Sequence, residues 1–238
     1  MSQALILLPG WAFGAAALQP LCEALGERLP NFEVSIEPLP ELAEADAWLD
    51  ALDRRLPRDA WLAGWSLGGM LASQLAARRV DACPGLVTIA SNPCFRARAQ
   101  WPEAMAAEIF DAFQDAFRLD PEQTLKRFRS LCSRGAFDAR TLARQLQVSQ
   151  APLPATVLDA GLQLLAQLDG REALHGYFGP QLHLFAGDDA LVPVAAATAL
   201  RNWMPGASVE VLPDTSHALV LERAEELATL MRAFIHGA

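Results

Sequence analysis

The stretch AWLAGWSLGGM, residues 60–70, sets Ser66 between Gly64 and Gly68, directly after a short apolar run. It reads either as a nucleophile held on a sharp strand-to-helix turn or as a polar residue in a glycine-rich bend. Context separates the two. AWLAGW (60–65) has the length and apolarity of a buried strand, and LGGMLASQLAARR (67–79) is a helix rich in small residues near its start. A nucleophile elbow needs that strand before it and that helix after it. The reason is steric: the serine occupies a strained backbone position that lifts its hydroxyl above the sheet, and the glycines let strand and helix close together. Ser66 is therefore read as a nucleophile, with Leu67 opening the helix behind it.

Outward from the elbow, strands and helices alternate. ALILLP (4–9) ends at Pro-Gly and reads as a buried strand, followed by a helix over 15–29. FEVSIEPL, within 31–39, is a second strand, and ELAEADAWLDALDRRL (41–56) a helix with Leu42, Ala45, Leu49 and Leu52 on one stripe. GLVTIA (85–90) is a further strand, running into the loop SNPCF. From about Trp101 to Gly179 the strand signal gives way to helical stripes. Alternation resumes with QLHLFAG (181–187), a helix near 193–203, SVEVLP (208–213) and a last helix over about 219–236. This is an α/β chain with a mainly parallel sheet and helices on both faces. The core takes residues 1–100 and 180–238, and residues 101–179 form a helical insertion placed to roof a pocket at the strand ends.

Composition bounds the function. The chain has 238 residues, 52% of them hydrophobic and 20% charged, which fits one folded domain with a sizeable core. A net charge of -9 disfavours nucleic acid as the partner. MSQALILLPGW has neither the basic segment of a signal peptide nor the length of a membrane span, so the expectation is a cytoplasmic protein with no membrane partner. Cys22, Cys83, Cys94 and Cys132 are widely spaced, and only four histidines are present. Zinc or a disulfide framework is not expected. Nothing requires more than a monomer.

A serine hydroxyl needs a base. His236 lies at the end of the chain, His183 alternates within a strand, and His175 sits late in the insertion. His217 follows the strand SVEVLP in the loop Asp214-Thr215-Ser216-His217, where a base must stand to meet Ser66. The base in turn needs an acid. The loop after the preceding strand offers Asp188 and Asp189, in the chain order serine, aspartate, histidine, and spacing alone does not choose between them. Asp214 is adequately explained as a turn residue. An oxyanion hole would draw one backbone N–H from Leu67 and another from the loop Pro9-Gly10-Trp11-Ala12, with Trp11 the candidate.

LLPGW (7–11), WLAGWSLGGMLASQLA (61–76), LVTIASNPCF (86–95) with Trp101-Pro102, and DALVP (189–193) together resemble the α/β-hydrolase fold. Within that fold the chain is similar to the pimeloyl-[acyl-carrier protein] methyl ester esterases of biotin synthesis. The resemblance implies Ser66 as nucleophile, His217 as base, Asp189 as acid (four residues before Pro193 in the Asp-x-x-Val-Pro pattern), and Trp11 and Leu67 as oxyanion donors. Two departures stand out. Pro9-Gly10 replaces the usual His-Gly, and the start is short and lacks the customary Gly-x-Gly-x-Ser loop, so a smaller, N-terminally shortened sheet is expected.

Between Arg118 and Arg144 seven basic residues face three acidic ones, a local +4 in an acidic chain. Each arginine could belong to an ordinary solvated face; together they could also form a docking surface for an acidic partner. The resemblance implies the latter: Arg127, Arg140 and Arg144 match positions that grip an acyl-carrier protein bearing the pimeloyl methyl ester, while a fourth position carries Gln123. Phe128 is an expected lid residue on the acyl channel and Trp65 an expected wall of the acyl pocket. The implied reaction is serine-esterase hydrolysis to a carrier-bound pimeloyl carboxylate and methanol, without cofactor or metal. A broader carboxylesterase or thioesterase on short acyl substrates is the alternative.

Overall fold

The computed structural model describes residues 2–237, leaving the terminal residues of the two core segments outside it. Six strands form one sheet in the order β2-β1-β3-β4-β5-β6: β1 (Gln3–Leu8), β2 (Phe32–Ile36), β3 (Trp61–Trp65), β4 (Leu86–Ile89), β5 (Gln181–Ala186) and β6 (Ser208–Leu212). Every pairing is parallel. In a parallel sheet covered by helices the inner strands are buried on both faces, and β3, β4 and β5 are buried along their whole length.

The helices are α1 (Gln19–Arg28), α2 (Ala47–Arg55), α3 (Leu67–Arg79), α4 (Ala107–Leu119), α5 (Pro121–Cys132), α6 (Ala139–Val148), α7 (Ala155–Gln167), α8 (Arg171–Gly176), α9 (Ala195–Trp203), α10 (Leu219–Glu222) and α11 (Ala224–Gly237). α3 packs across β3 and β4 with α2 and α8 beside it, while α1 packs on α11 and α9 on β6. α4 to α7 make up the helical insertion between β4 and β5, and α8, inside the range read as insertion, rests against α3.

Two helices differ from their sequence patterns. The helix expected over 41–56 begins only at Ala47, because the Trp48 indole N–H donates to the Leu42 carbonyl at 2.9 Å and holds the acidic lead-in as a loop. The last helix breaks at Arg223 into α10 and α11; Glu222, just before the break, is drawn back to Ser216.

The register puts the functional loops side by side. In parallel strands all carboxyl ends lie on one edge, and there the turns after β1, β3, β5 and β6 carry Trp11, Ser66, Asp189 and His217.

Candidate active site

Ser66 stands between β3 and α3 with φ 54° and ψ −119°, left-handed backbone that a serine adopts only under strain. The flanking glycines make this possible by close approach. A Cβ on Gly64 would lie 2.2 Å from the Gly68 carbonyl, and one on Gly68 would lie 2.2 Å from the Leu8 carbonyl oxygen. Any side chain at either position would push α3 off β1 and β3. The strained turn is tied down from both sides. The Ser66 N–H donates to Ile89 O at 2.9 Å, and the Ser66 carbonyl accepts from Gly69 N–H at 2.9 Å and Met70 N–H at 3.2 Å.

His217 Nδ1 lies 2.7 Å from Asp189 Oδ2, and both side chains are 1% exposed. The other carboxylate oxygen, Oδ1, accepts the N–H groups of Leu191 at 2.8 Å and Val192 at 2.9 Å. Two backbone donors thus fix the carboxylate so that its free oxygen faces the imidazole. Asp188 is exposed, and its N–H is used to join the two loops by donating to Thr215 O at 2.9 Å. Asp214 is an exposed turn residue at φ 53°. Of the three neighbouring carboxylates, Asp189 is the one that touches the histidine. His217 Nε2 is buried and has no protein partner among the described residues, which is the open position a proton acceptor presents.

The loop bearing His217 is pinned at several points. The Glu222 carboxylate accepts the Ser216 N–H at 2.9 Å and also the Ser216 hydroxyl. Ala218 N–H donates to Cys132 O at the end of α5 at 3.2 Å. The Trp65 indole N–H donates to His217 O at 2.8 Å. Trp65, expected on the wall of the acyl pocket, does not line the cavity there. It is fully buried between Phe13 and the histidine loop, and so ties the elbow to the base.

Leu67 is the first residue of α3, so its N–H has no intrahelical acceptor. Trp11 lies in the loop after β1, where Phe13 N–H donates to Gly10 O and Ala12 sits at φ 66°. The Trp11 indole N–H donates to Leu158 O at 2.8 Å, which binds this loop to α7 of the insertion. Its ring meets Phe128 edge-on at 4.8 Å and Phe117 at 5.7 Å.

Above these residues lies a cavity of about 40 Å³ lined by Trp11, Phe110, Phe113, Phe128, Leu162 and Leu191 among others, with the Arg127 guanidinium as its one charged neighbour. Phe128 is on its wall. Arg127, Arg140 and Arg144 are all exposed, and none pairs with a carboxylate among the described residues. Two of the three acidic residues in this segment are occupied elsewhere. Asp120 and Asp138 cap α5 and α6 by accepting Gln123 N–H and Thr141 N–H, each at 3.0 Å. Among the described residues no three-residue cluster suits a metal ion, and no helix is long and apolar enough to cross a membrane.

The sequence pattern of the alpha/beta hydrolase family matches residues 5–230. The chain belongs to the alpha/beta hydrolase family. It is 37% identical to the pimeloyl-[acyl-carrier protein] methyl ester esterase of Aromatoleum aromaticum, over 98% of each chain. It is 33% identical to the enzyme of the same name from Serratia marcescens, over 97% of this chain and 93% of that one. It also matches the biotin biosynthesis bifunctional protein BioHC of Cellvibrio japonicus at 35% identity, spanning 47% of that longer protein. Among solved structures, the bromoperoxidase of Bacillus anthracis superposes with a TM-score of 0.85 at 16% identity, covering 99% of this chain and 92% of that one. An esterase of Exiguobacterium antarcticum gives 0.84 at 16%, with the same coverage. At such identity these two speak for the fold.

Glu222 and Ser91, whose hydroxyl donates to Ser66 O at 2.9 Å, are site residues that the sequence patterns did not mark. Ser91's signals are its place in the block LVTIASNPCF and its position just past the carboxyl end of β4, beside the elbow strand.

Proposed function

We propose that the chain hydrolyses the methyl ester of pimeloyl-[acyl-carrier protein], releasing methanol and leaving a free carboxylate on the carrier-bound chain. The observation that carries the chemistry is the Asp189–His217 pair, with Nε2 of the imidazole left unpartnered among the described residues, on the same sheet edge as a serine on a strained elbow. His217 takes the Ser66 proton as Oγ attacks the ester carbonyl, and the Trp11 and Leu67 N–H groups receive the developing oxyanion. His217 then passes that proton to the departing methoxide. Water, deprotonated by the same imidazole, attacks the acyl-enzyme; the tetrahedral intermediate collapses, Ser66 Oγ regains its proton, and the acid is released. No metal or organic cofactor enters this sequence.

The substrate assignment is supported by the full-length similarity to esterases of that name and by the insertion. An apolar cavity between Trp11, Leu191 and the insertion helices suits an aliphatic acyl chain. At about 40 Å³ it is far smaller than the roughly 300–1,000 Å³ of ordinary ligand pockets, so the chain enters as the insertion helices separate from the core. Helices α4 to α7, within the 101–179 insertion, therefore act as a lid. On its outside, Arg140, Arg144 and Val148 follow one another at four-residue spacing along α6, with exposed Phe137 just before the helix. Unpaired cations beside exposed apolar groups fit a small acidic carrier protein. A monomer working in the cytoplasm completes this reading.

The test is methanol release from the carrier-bound methyl ester. The wild-type protein should release it, and Ser66→Ala should not. Hydrolysis of free short esters at equal or higher kcat/KM than the carrier-bound ester would replace this reading with a broad carboxylesterase.

A further inference from the structure

Behind the elbow, between α3, β4, β5 and the start of α8, lies a much smaller pocket. Its volume is about 10 Å³, and Ser73, Thr88, Ser91, Asn92 and His183 contribute its polar lining. A space of that size holds one water molecule, provided polar partners surround it.

The partners can be counted. His183 on β5 is 1% exposed, and its Nδ1 lies 2.7 Å from Thr88 Oγ1 on β4. Its Nε2 is buried with no protein partner among the described residues. Burial pulls its pKa down to about 4, so the ring is neutral and carries one proton. The two serine hydroxyls have spent their protons: Ser73 Oγ donates to Gly69 O at 2.8 Å, and Ser91 Oγ donates to Ser66 O at 2.9 Å. Both retain only lone pairs. A water molecule offers two protons and accepts others, so pairing both serine oxygens uses both of its protons and leaves it to accept from Nε2. Thr88 donates to Nδ1, the ring proton sits on Nε2, the water accepts it, and the water donates to Ser73 and Ser91.

We propose that this pocket binds one water molecule between His183 Nε2, Ser73 and Ser91, and that the resulting chain orients the oxyanion donor on Leu67. The link is covalent geometry. The Ser66 carbonyl and the Leu67 N–H belong to one planar trans peptide and point in opposite directions. Ser91, together with the Gly69 and Met70 N–H groups, holds the carbonyl from behind and so aims the N–H forward, toward the oxygen of a substrate on Ser66. Ser91 is thus a positioning residue, and His183 acts through it. The inference rests on Ser66 as the nucleophile but not on which ester the protein cleaves.

Two measurements test it. In ¹⁵N–¹H spectra of the wild-type protein near pH 7, His183 should be neutral with its proton on Nε2, and that proton should show a cross-peak to a bound water. A proton on Nδ1, or an Nε2 proton with no water contact, would overturn the water site. For the positioning role, Ser91→Ala should lower kcat on p-nitrophenyl acetate about tenfold with KM within twofold, as expected for a weakened oxyanion hole. It should weaken a boronic acid inhibitor by a similar factor, and His183→Gln, which retains a donor, should lose less than His183→Leu. A Ser91→Ala protein that melts earlier but keeps kcat and inhibitor affinity would make Ser91 merely structural. Failure of a fluorophosphonate to label wild-type Ser66 would instead remove the nucleophile, leaving the histidine spectrum to stand by itself.

Discussion

The carboxyl edge of the sheet and the outer face of the insertion differ in how much of their chemistry the chain satisfies by itself. At the sheet edge, Asp189 has both oxygens engaged, and the His217 loop is held by Glu222, Trp65 and Cys132. Its residues are buried, and Gly64 and Gly68 let strand and helix approach so closely that neither position has room for a Cβ. On the outer face, Arg140 and Arg144 are exposed and have no carboxylate partner among the described residues, while Phe137 and Val148 stand in solvent near them in sequence. One region is organised before any substrate arrives. The other leaves its cations and apolar groups unpartnered. The proposed function assigns chemistry to the first and choice of substrate to the second, so substitutions in the two should fail differently.

The largest effect belongs to the sheet edge. Ser66→Ala should lower kcat on every ester, free or carrier-bound, by about 10⁶-fold, as loss of a nucleophile does in serine hydrolases. Asp189→Asn should cost about 10⁴-fold in kcat with little change in KM, because the amide leaves the imidazole in the wrong tautomer. Steady-state kinetics on a free and a carrier-bound methyl ester checks both.

On the insertion, Arg140→Glu combined with Arg144→Glu should raise KM for the carrier-bound ester by about tenfold or more and leave the free ester untouched. Added salt should weaken wild-type activity on the carrier-bound ester, since the attraction is screened over about 8–10 Å at physiological ionic strength. The smallest effect lies away from both regions. Asp169, between α7 and α8, is held down to about 2 chiefly by hydrogen bonds from Arg171. A depressed carboxylate stabilises the fold above its ordinary pKa of 3.8, and the gain is lost as pH falls toward 2. Asp169→Asn should therefore lower the thermal midpoint slightly at pH 7 and not at pH 2.

The sheet and the elbow were legible in the sequence because both follow from local rules. Apolar runs of strand length alternate with helical stripes, and Gly64-x-Ser66-x-Gly68 sits at a strand-to-helix join. What stayed open was what only contact decides. Asp188 and Asp189 are equivalent by position, and the N–H groups of Leu191 and Val192 distinguish them. Trp65 next to Ser66 reads as a pocket wall, yet its indole turns to the His217 carbonyl. The helix stripe beginning at Leu42 is real as a pattern, but Trp48 captures the Leu42 carbonyl and the first turn never forms. Ser91 lies within the block LVTIASNPCF but is not singled out there, and Glu222 carries no motif, because their partners, a backbone carbonyl and a loop serine, leave no spacing signature.

The division between a self-contained sheet edge and an outward-facing insertion is tested most directly by one ratio, kcat/KM for the carrier-bound methyl ester over kcat/KM for the same ester free in solution. The wild-type ratio should be well above one, and Arg140→Glu with Arg144→Glu should bring it close to one without slowing hydrolysis of the free ester. A ratio unchanged by the reversal, or lost only together with activity on the free ester, would contradict it.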